Sequence, residues 1–233
     1  MEVKDKVKFL KSTSLCENLN ADEIEMLAEN GNVKEFPKKS TIFIQSEPGE
    51  IFYILKSGMV KITKIDENGN EVIFAILSSG DFFGEMSIID NDVRSANAIT
   101  ITDVVLLTYS KAAFFKFIQE SFNFTMNLLK IFTVRVRNTD TSIKSLFLDT
   151  AQKRILVNFN LLVKKSGYIE EGQMIIDEIV NQADLANFCG TSRETLSRTL
   201  KKLENNGLLV KNGKQIRIPD YRRFVKTFGL AEN

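Results

Sequence analysis

No histidine occurs anywhere in the 233 residues. That removes the commonest general base, the usual axial ligand of haem and most zinc sites together, and with them the Ser-His-Asp and Cys-His mechanisms. Only two cysteines are present, Cys16 and Cys189. Far apart in sequence, they form neither a disulfide framework nor a thiolate cluster for iron and sulfur, and a reducing compartment is their natural setting. No haem, iron-sulfur cluster or metal site is expected. Just three prolines and 26% charged residues describe an ordered chain and not a low-complexity one. No apolar run reaches spanning length, and Met1 to Ser12 alternates charges with apolar residues, without the apolar stretch of a signal peptide. The expectation is a cytoplasmic protein that does not engage membranes.

What is present suits two domains: 43% of the residues are hydrophobic, enough to fill two cores in a chain of this length. The formal charge of +1 hides opposite parts. Residues 1–149 carry −4 and residues 150–233 carry +5, so the basic C-terminal third is the part suited to a polyanion.

From Val33 to Tyr109 the chain reads as short strands rich in Val, Ile and Phe, at Thr41 to Gln45, Ile51 to Lys56, Val60 to Ile65, Val72 to Leu77, Ser95 to Thr100 and Val104 to Tyr109. Turn formers punctuate them, which predicts a barrel or sandwich. Ahead of the strands Asn20 is placed to cap a helix from Ala21 to Asn30, stopped by Gly31.

After the strands the period changes. Ser110 can cap a short helix through Phe117. Then Phe122, Thr125, Leu129, Phe132, Val136, Thr139, Ile143 and Leu146 recur at alternating spacings of three and four, a heptad seam of more than three repeats. Two readings stay open at this level: one face of an amphipathic helix packed on its own barrel, or a homodimer seam that includes Leu129, Phe132, Val136, Thr139, Ile143 and Leu146.

The basic third holds Asn181-Gln-Ala-Asp-Leu-Ala-Asn-Phe-Cys-Gly190-Thr-Ser-Arg-Glu-Thr-Leu-Ser-Arg-Thr-Leu-Lys-Lys-Leu203, which fits two helices around a tight turn. Asn181 can cap the first. Gly190 supplies the left-handed turn, and Leu185, Leu196, Leu200 and Leu203 form the inner face. Thr191 with Glu194 three residues on reads as a capping box for the second helix. Opposite the leucines stand Ser192, Arg193, Glu194, Ser197 and Arg198, at the end a recognition helix pushes into the major groove. Arginine can grip guanine through two hydrogen bonds and glutamate can accept from the cytosine amino group. Asn181, Gln182 and Lys201 flank this face. Downstream, an Asn-Gly turn between Lys211 and Lys214 reads as a wing for phosphate contact.

A second constellation is Gly80-Asp-Phe-Phe-Gly84-Glu85-Met-Ser-Ile-Ile-Asp-Asn-Asp-Val-Arg94-Ser95-Ala96. Backbone N–H groups near Gly84 and the Arg94 guanidinium could hold a phosphate, with Glu85 accepting from sugar hydroxyls. The plainer alternative is a charge-neutralising pair of Arg94 with Glu85 or Asp92.

Together these strings resemble the CRP/FNR family of bacterial transcription regulators, along nearly the whole chain. The resemblance implies an α+β fold: an N-terminal cyclic-nucleotide-binding-like β-barrel (double-stranded β-helix or jelly roll) in residues 1–120, a dimerisation helix in 121–148 and a C-terminal winged helix-turn-helix in 149–233. It implies that Arg193, Glu194 and Arg198 read bases, as in the catabolite activator branch with its TGTGA half-site. Ser197 is similar instead to the fumarate-nitrate branch, which suggests a TTGTGA-like half-site in a palindrome of double-stranded DNA. Residues 80–96 resemble the phosphate-binding cassette of cyclic-nucleotide-binding domains, with Gly84 and Glu85 on the ribose side and Arg94 and Ser95 on the cyclic phosphate. Counting back from Phe147-Leu-Asp149, which resembles the family's hinge, Asn138 takes the position of the adenine-contacting threonine and Thr139 that of a serine reaching the ligand of the other subunit. Asn138 departs from the pattern and puts cyclic AMP in doubt; a cyclic nucleotide or another small anion is the expected effector. RNA polymerase is the expected protein partner.

The expected function is that of a homodimeric, effector-controlled DNA-binding regulator and not an enzyme, since no Walker-type phosphate loop or metal cluster appears. The competing expectation keeps DNA binding but makes the barrel vestigial, with control by abundance or by oxidation of Cys16.

Overall fold

The computed structural model describes residues 1–177, 180–213 and 215–230, so Lys214 lies outside the described residues. The chain divides into two compact units, residues 1–70 with 74–140 and residues 71–73 with 141–233.

The first unit opens with α1 (Val3–Leu10), a single 3-10 turn at Ser14–Cys16 and α2 (Ala21–Asn30). Eight strands follow: β1 (Asn32–Phe36), β2 (Thr41–Phe43), β3 (Ile51–Ser57), β4 (Val60–Ile65), β5 (Glu71–Leu77), β6 (Phe82–Phe83), β7 (Asn97–Thr100) and β8 (Val104–Ser110), with the short α3 (Met86–Ile89) between β6 and β7. The unit closes with α4 (Lys111–Glu120) and the N-terminal part of α5 (Phe122–Leu148). The sheets run β1-β8-β3-β6 and β2-β7-β4-β5. First strand pairs with last and inner strands with inner, the order of a jelly roll, as the resemblance implied.

Strand β3 shows why the unit holds together. Its Phe52 and Ile54 point outward, into a cluster with Leu10, Leu27, Phe114, Phe117 and Phe124 from α1, α2, α4 and α5. Tyr53 and Leu55, on the alternate face, join Val60, Leu77, Phe83, Ala98 and Leu106 inside the barrel. A strand covered on both faces needs no polar alternation, hence the uninterrupted Phe-Tyr-Ile-Leu run. The predicted helix over Ala21–Asn30 is present with Asn20 and Glu23 in a capping box. Gly31 ends it as expected, with φ −83° and not in a left-handed turn, and a Cβ there would lie 2.8 Å from the Tyr109 hydroxyl. Strands β1 and β6 were not separately visible, because β6 has two residues and β1 is mostly exposed.

The second unit contains α6 (Ala151–Ser166), β9 (Tyr168–Glu170), β10 (Gln173–Ile176), α7 (Gln182–Phe188), α8 (Arg193–Asn205), β11 (Val210–Asn212), β12 (Gln215–Ile218) and α9 (Tyr221–Phe228). Its sheet runs β11-β12-β10-β9, so the wing hairpin is backed by a second hairpin, β9-β10, that three exposed residues in β9 left without a periodic signal. Helix α9, also unforeseen, lays Phe224 against Phe159 of α6. Its Tyr221 hydroxyl donates to Asn160 Oδ1 at 2.8 Å.

Candidate DNA interface and effector site

The turn between α7 and α8 is built as the sequence requires. Asn181 Oδ1 accepts from the Ala183 and Asp184 amides, and Gly190 adopts φ +58°, a left-handed conformation costly for a residue with a Cβ. Leu185 of α7 is buried, and so are Leu196, Leu200 and Leu203 of α8, which fixes the opposite face of α8 outward. Ser192, Arg193, Glu194, Ser197, Arg198 and Lys201 are exposed along it.

Two details differ from the sequence reading. The cap of α8 is Ser192, whose Oγ accepts from the Thr195 amide at 3.1 Å, and Thr191 does not cap it: the helix starts one residue later than a Thr191 box needs. Glu194 is therefore free of capping and pairs with Arg198 at 3.0 Å one turn on. An exposed pair of this kind contributes little to stability, so both side chains can be re-aimed at base edges. Gln182 is half-buried and Asn181 and Lys211 are exposed.

In the barrel, the cassette residues are close together, with Glu85 and Arg94 buried. The Arg94 side chain is buried; Nη1 donates to the Gly84 carbonyl at 2.7 Å and to Ser87 Oγ at 2.9 Å, and Nη2 donates to the Ile51 carbonyl at 2.9 Å. Its guanidinium stacks 4.2 Å from the Phe43 ring centre. Neither predicted carboxylate partner, Glu85 or Asp92, forms an ion pair with it; backbone carbonyls and an aromatic face take that place. Arg94 Nε is buried without a hydrogen-bond partner, a donor that an anionic ligand atom would satisfy. Ser95 is exposed, its hydroxyl donating to Met86 Sδ at 3.7 Å.

Glu85 has a partner that sequence reasoning missed. Arg135 of α5 reaches its carboxylate at 2.7 Å, donates to the Phe82 carbonyl and stacks 4.3 Å from the Phe82 ring centre. Burial pushes the Glu85 carboxyl above the usual carboxylate range, and Arg135 opposes that rise; desolvation wins over the pair. The signal was weak in sequence, since an arginine beside the seam reads as solvated surface. The contact identifies the face of α5 turned to the cassette. Asn138 and Thr139, three and four residues on, lie on that side of the helix; both are exposed.

Along the seam Phe132 is half-buried and meets the Phe82 ring edge-on at 6.2 Å, while Leu129, Val136, Ile143 and Leu146 are 50%, 61%, 50% and 56% exposed. Thr139 Oγ1 donates to the Arg135 carbonyl. An apolar stripe this open on one helix lacks a cover among the described residues.

The cysteines are structural. Both are buried, and burial pushes the thiols up to about 11 for Cys16 and about 12 for Cys189, against the expectation that Cys16 serves as a redox control. At pH 8 both are expected to resist an aromatic disulfide reagent in the folded protein and to react within the mixing time in denaturant. Fast native labelling of one thiol would contradict this.

The chain matches the model of the cyclic nucleotide-binding domain over residues 33–121 and that of the Crp-like helix-turn-helix domain over residues 155–226. It is 27% identical over 219 residues to the CRP-like cAMP-activated global transcriptional regulator of Mycobacterium tuberculosis, covering 94% of this chain and 98% of the relative. It is 30% identical over 197 residues to the cAMP-activated global transcriptional regulator CRP of Pasteurella multocida, covering 83% and 92%. Its fold matches that of the c-di-GMP responsive global regulator CLP of Xanthomonas campestris with a TM-score of 0.70 at 25% identity, over 85% of this chain and 99% of the other. With a jelly-roll unit, a winged helix-turn-helix unit and relatives of this length and identity, the chain belongs to the CRP/FNR family of transcription regulators.

Proposed function

We propose that the protein is a homodimeric DNA-binding regulator of the cytoplasm, without catalytic activity, whose barrel binds a small anionic effector. The observation that carries the DNA reading is the outward row Arg193, Glu194, Ser197 and Arg198 on a helix whose other face is locked by buried leucines. Dimerisation through α5 is supported by its uncovered apolar stripe. It would set two recognition helices roughly 34 Å apart, one turn of DNA. The half-sites are TGTGA- or TTGTGA-like, with Arg193, Glu194 and Arg198 on bases, and Asn181, Gln182, Ser192, Lys201, Lys211 and Lys214 around them. RNA polymerase is the proposed protein partner.

For the effector, the supporting observations are the buried, unpartnered Arg94 Nε and the cassette Glu85 carboxylate bonded to Arg135 of α5. Cyclic AMP and c-di-GMP appear in the names of relatives, and a cyclic nucleotide is the first candidate class. Such a ligand would offer phosphate oxygens to Arg94 and sugar hydroxyls to Glu85, in competition with Arg135, and Asn138 and Thr139 would meet its base. The inward bonds of Arg94 Nη1 and Nη2 and the Glu85–Arg135 pair favour a second reading, in which the barrel is vestigial and DNA binding needs no effector. Calorimetric titration with cyclic nucleotides, paired with DNA affinity, separates the two. Heat and a shift in affinity support the first; neither, with any of them, supports the second.

Arg193→Ala tests the interface. It is expected to cost about 1–3 kcal/mol on an inverted-repeat duplex and to relax preference at one base pair. Equal loss on scrambled duplex would make Arg193 a phosphate contact only.

A further inference from the structure

The dipeptide Asn-Gly occurs four times in the chain, at Asn30-Gly31, Asn68-Gly69, Asn206-Gly207 and Asn212-Gly213. It carries a reaction of its own: the backbone nitrogen of the glycine can attack the side-chain amide carbon of the asparagine, since no Cβ on the glycine blocks the approach. A C–N bond forms, the bond to the side-chain nitrogen breaks and ammonia leaves. The resulting five-membered imide takes up one water to become aspartate or isoaspartate. The nucleophile is the glycine amide, so whatever holds that amide decides where the reaction runs.

At three of the four sites the glycine amide is occupied. Gly31 donates to the Leu27 carbonyl at 3.1 Å, Gly69 to the Asp66 carbonyl at 3.0 Å and Gly207 to the Glu204 carbonyl at 2.9 Å. The Asn30 side-chain amide is itself tied to the Met26 carbonyl at 2.8 Å. Attack at any of these three must first break a made bond. The fourth site differs. The β11-β12 ladder ends where Asn212 pairs with Gln215, so Gly213 stands past its last rung, with φ +61°. Among the described residues neither the Gly213 amide nor the Asn212 side chain makes a hydrogen bond. Exposure does not single the site out, since Asn68 and Asn206 are exposed as well; the unengaged amide does.

We infer that Asn212 is a site of self-modification in the folded protein, and that its conversion to a carboxylate lowers the affinity of this unit for DNA. The second half rests on the reading of the chain as a DNA-binding regulator with β11-β12 as its wing. There the new negative charge arises one residue from Lys211 and offsets the charge that would meet a phosphate. The isoaspartate form also lengthens the backbone by one methylene where the hairpin turns. DNA affinity thus declines with the age of the molecule, with no ligand and no second enzyme.

Peptide mapping by mass spectrometry of the full chain, incubated for days at pH 8.5, tests the site. The Asn212 peptide is expected to gain the mass of deamidation about tenfold or more faster than the Asn30, Asn68 and Asn206 peptides. In denaturant, where every glycine amide is released, the four rates are expected to converge. Asn212→Asp is expected to weaken binding to an inverted-repeat duplex and to a scrambled one alike, by about three- to tenfold at low salt. Asn212→Gln is expected to hold its affinity through an incubation that lowers that of the parent. An Asn212 rate no greater than the other three in the folded chain overturns the inference, as does an Asn212→Asp variant with the parent's affinity. A parent chain that binds neither duplex defeats the DNA reading itself and leaves the peptide rates standing.

Discussion

Arg94→Leu is expected to destabilise the barrel unit by about 3–5 kcal/mol, the sum expected from leaving three buried acceptors unsatisfied at about 1–3 kcal/mol each with partial relaxation. In a unit of this size that lowers the unfolding temperature by about 10–15 °C. Leucine fills part of the space but leaves the Gly84 and Ile51 carbonyls and the Ser87 hydroxyl without their donor, and an unmade buried hydrogen bond costs more than a made one contributes. It also strips the guanidinium from the Phe43 face. Differential scanning calorimetry measures the shift. A loss of effector response in this variant is therefore evidence of a ligand contact only if the barrel is still folded at the temperature of the assay. A shift below about 3 °C would show that the inward bonds of Arg94 contribute little and that the residue is held for its ligand.

Arg135→Met is expected to cost about 2–3 kcal/mol at pH 7.5, less than the 3–5 typical of a fully buried pair because the arginine side chain is about one-third exposed. Methionine keeps the stem against Phe82 and deletes the charge, which leaves the buried Glu85 carboxylate without its counter-ion. Burial already raises the Glu85 carboxyl and Arg135 opposes the rise, so the variant raises it further. Between the ordinary carboxylate range and that raised value the folded variant binds a proton that the unfolded chain does not. Its stability therefore falls as pH rises through this window. The deficit relative to the parent is largest near neutrality and shrinks toward pH 5, as Glu85 is protonated in place. Unfolding in urea at several pH values reads this directly. A deficit independent of pH would show that Arg135 acts by packing over Phe82 and not by charge.

These two arginines show where the sequence was legible. Gly84, Glu85, Arg94 and Ser95 could be found as a group because their spacing survives in the string, and they do come together in space. Their partners could not be found. Arg94 spends its donors on carbonyls that any residue could supply, and the guanidinium that meets Glu85 comes from 50 residues away. The helix-turn-helix was far more legible, since caps, a left-handed glycine and three leucines at helical spacing on α8 are all local. Even there the cap moved from Thr191 to Ser192, as two adjacent hydroxyls satisfy the same pattern.

The sequence by itself determined the strand-rich and helical parts, the two faces of the recognition helix and the apolar stripe of α5, because each depends on neighbours within a turn or two. Only the tertiary structure decided which side chains of the cassette face inward, that Arg135 and not Arg94 pairs with Glu85, and that both thiols are sealed. Those outcomes depend on which distant segments share a core, and burial, not spacing, selects the partner of each charged group.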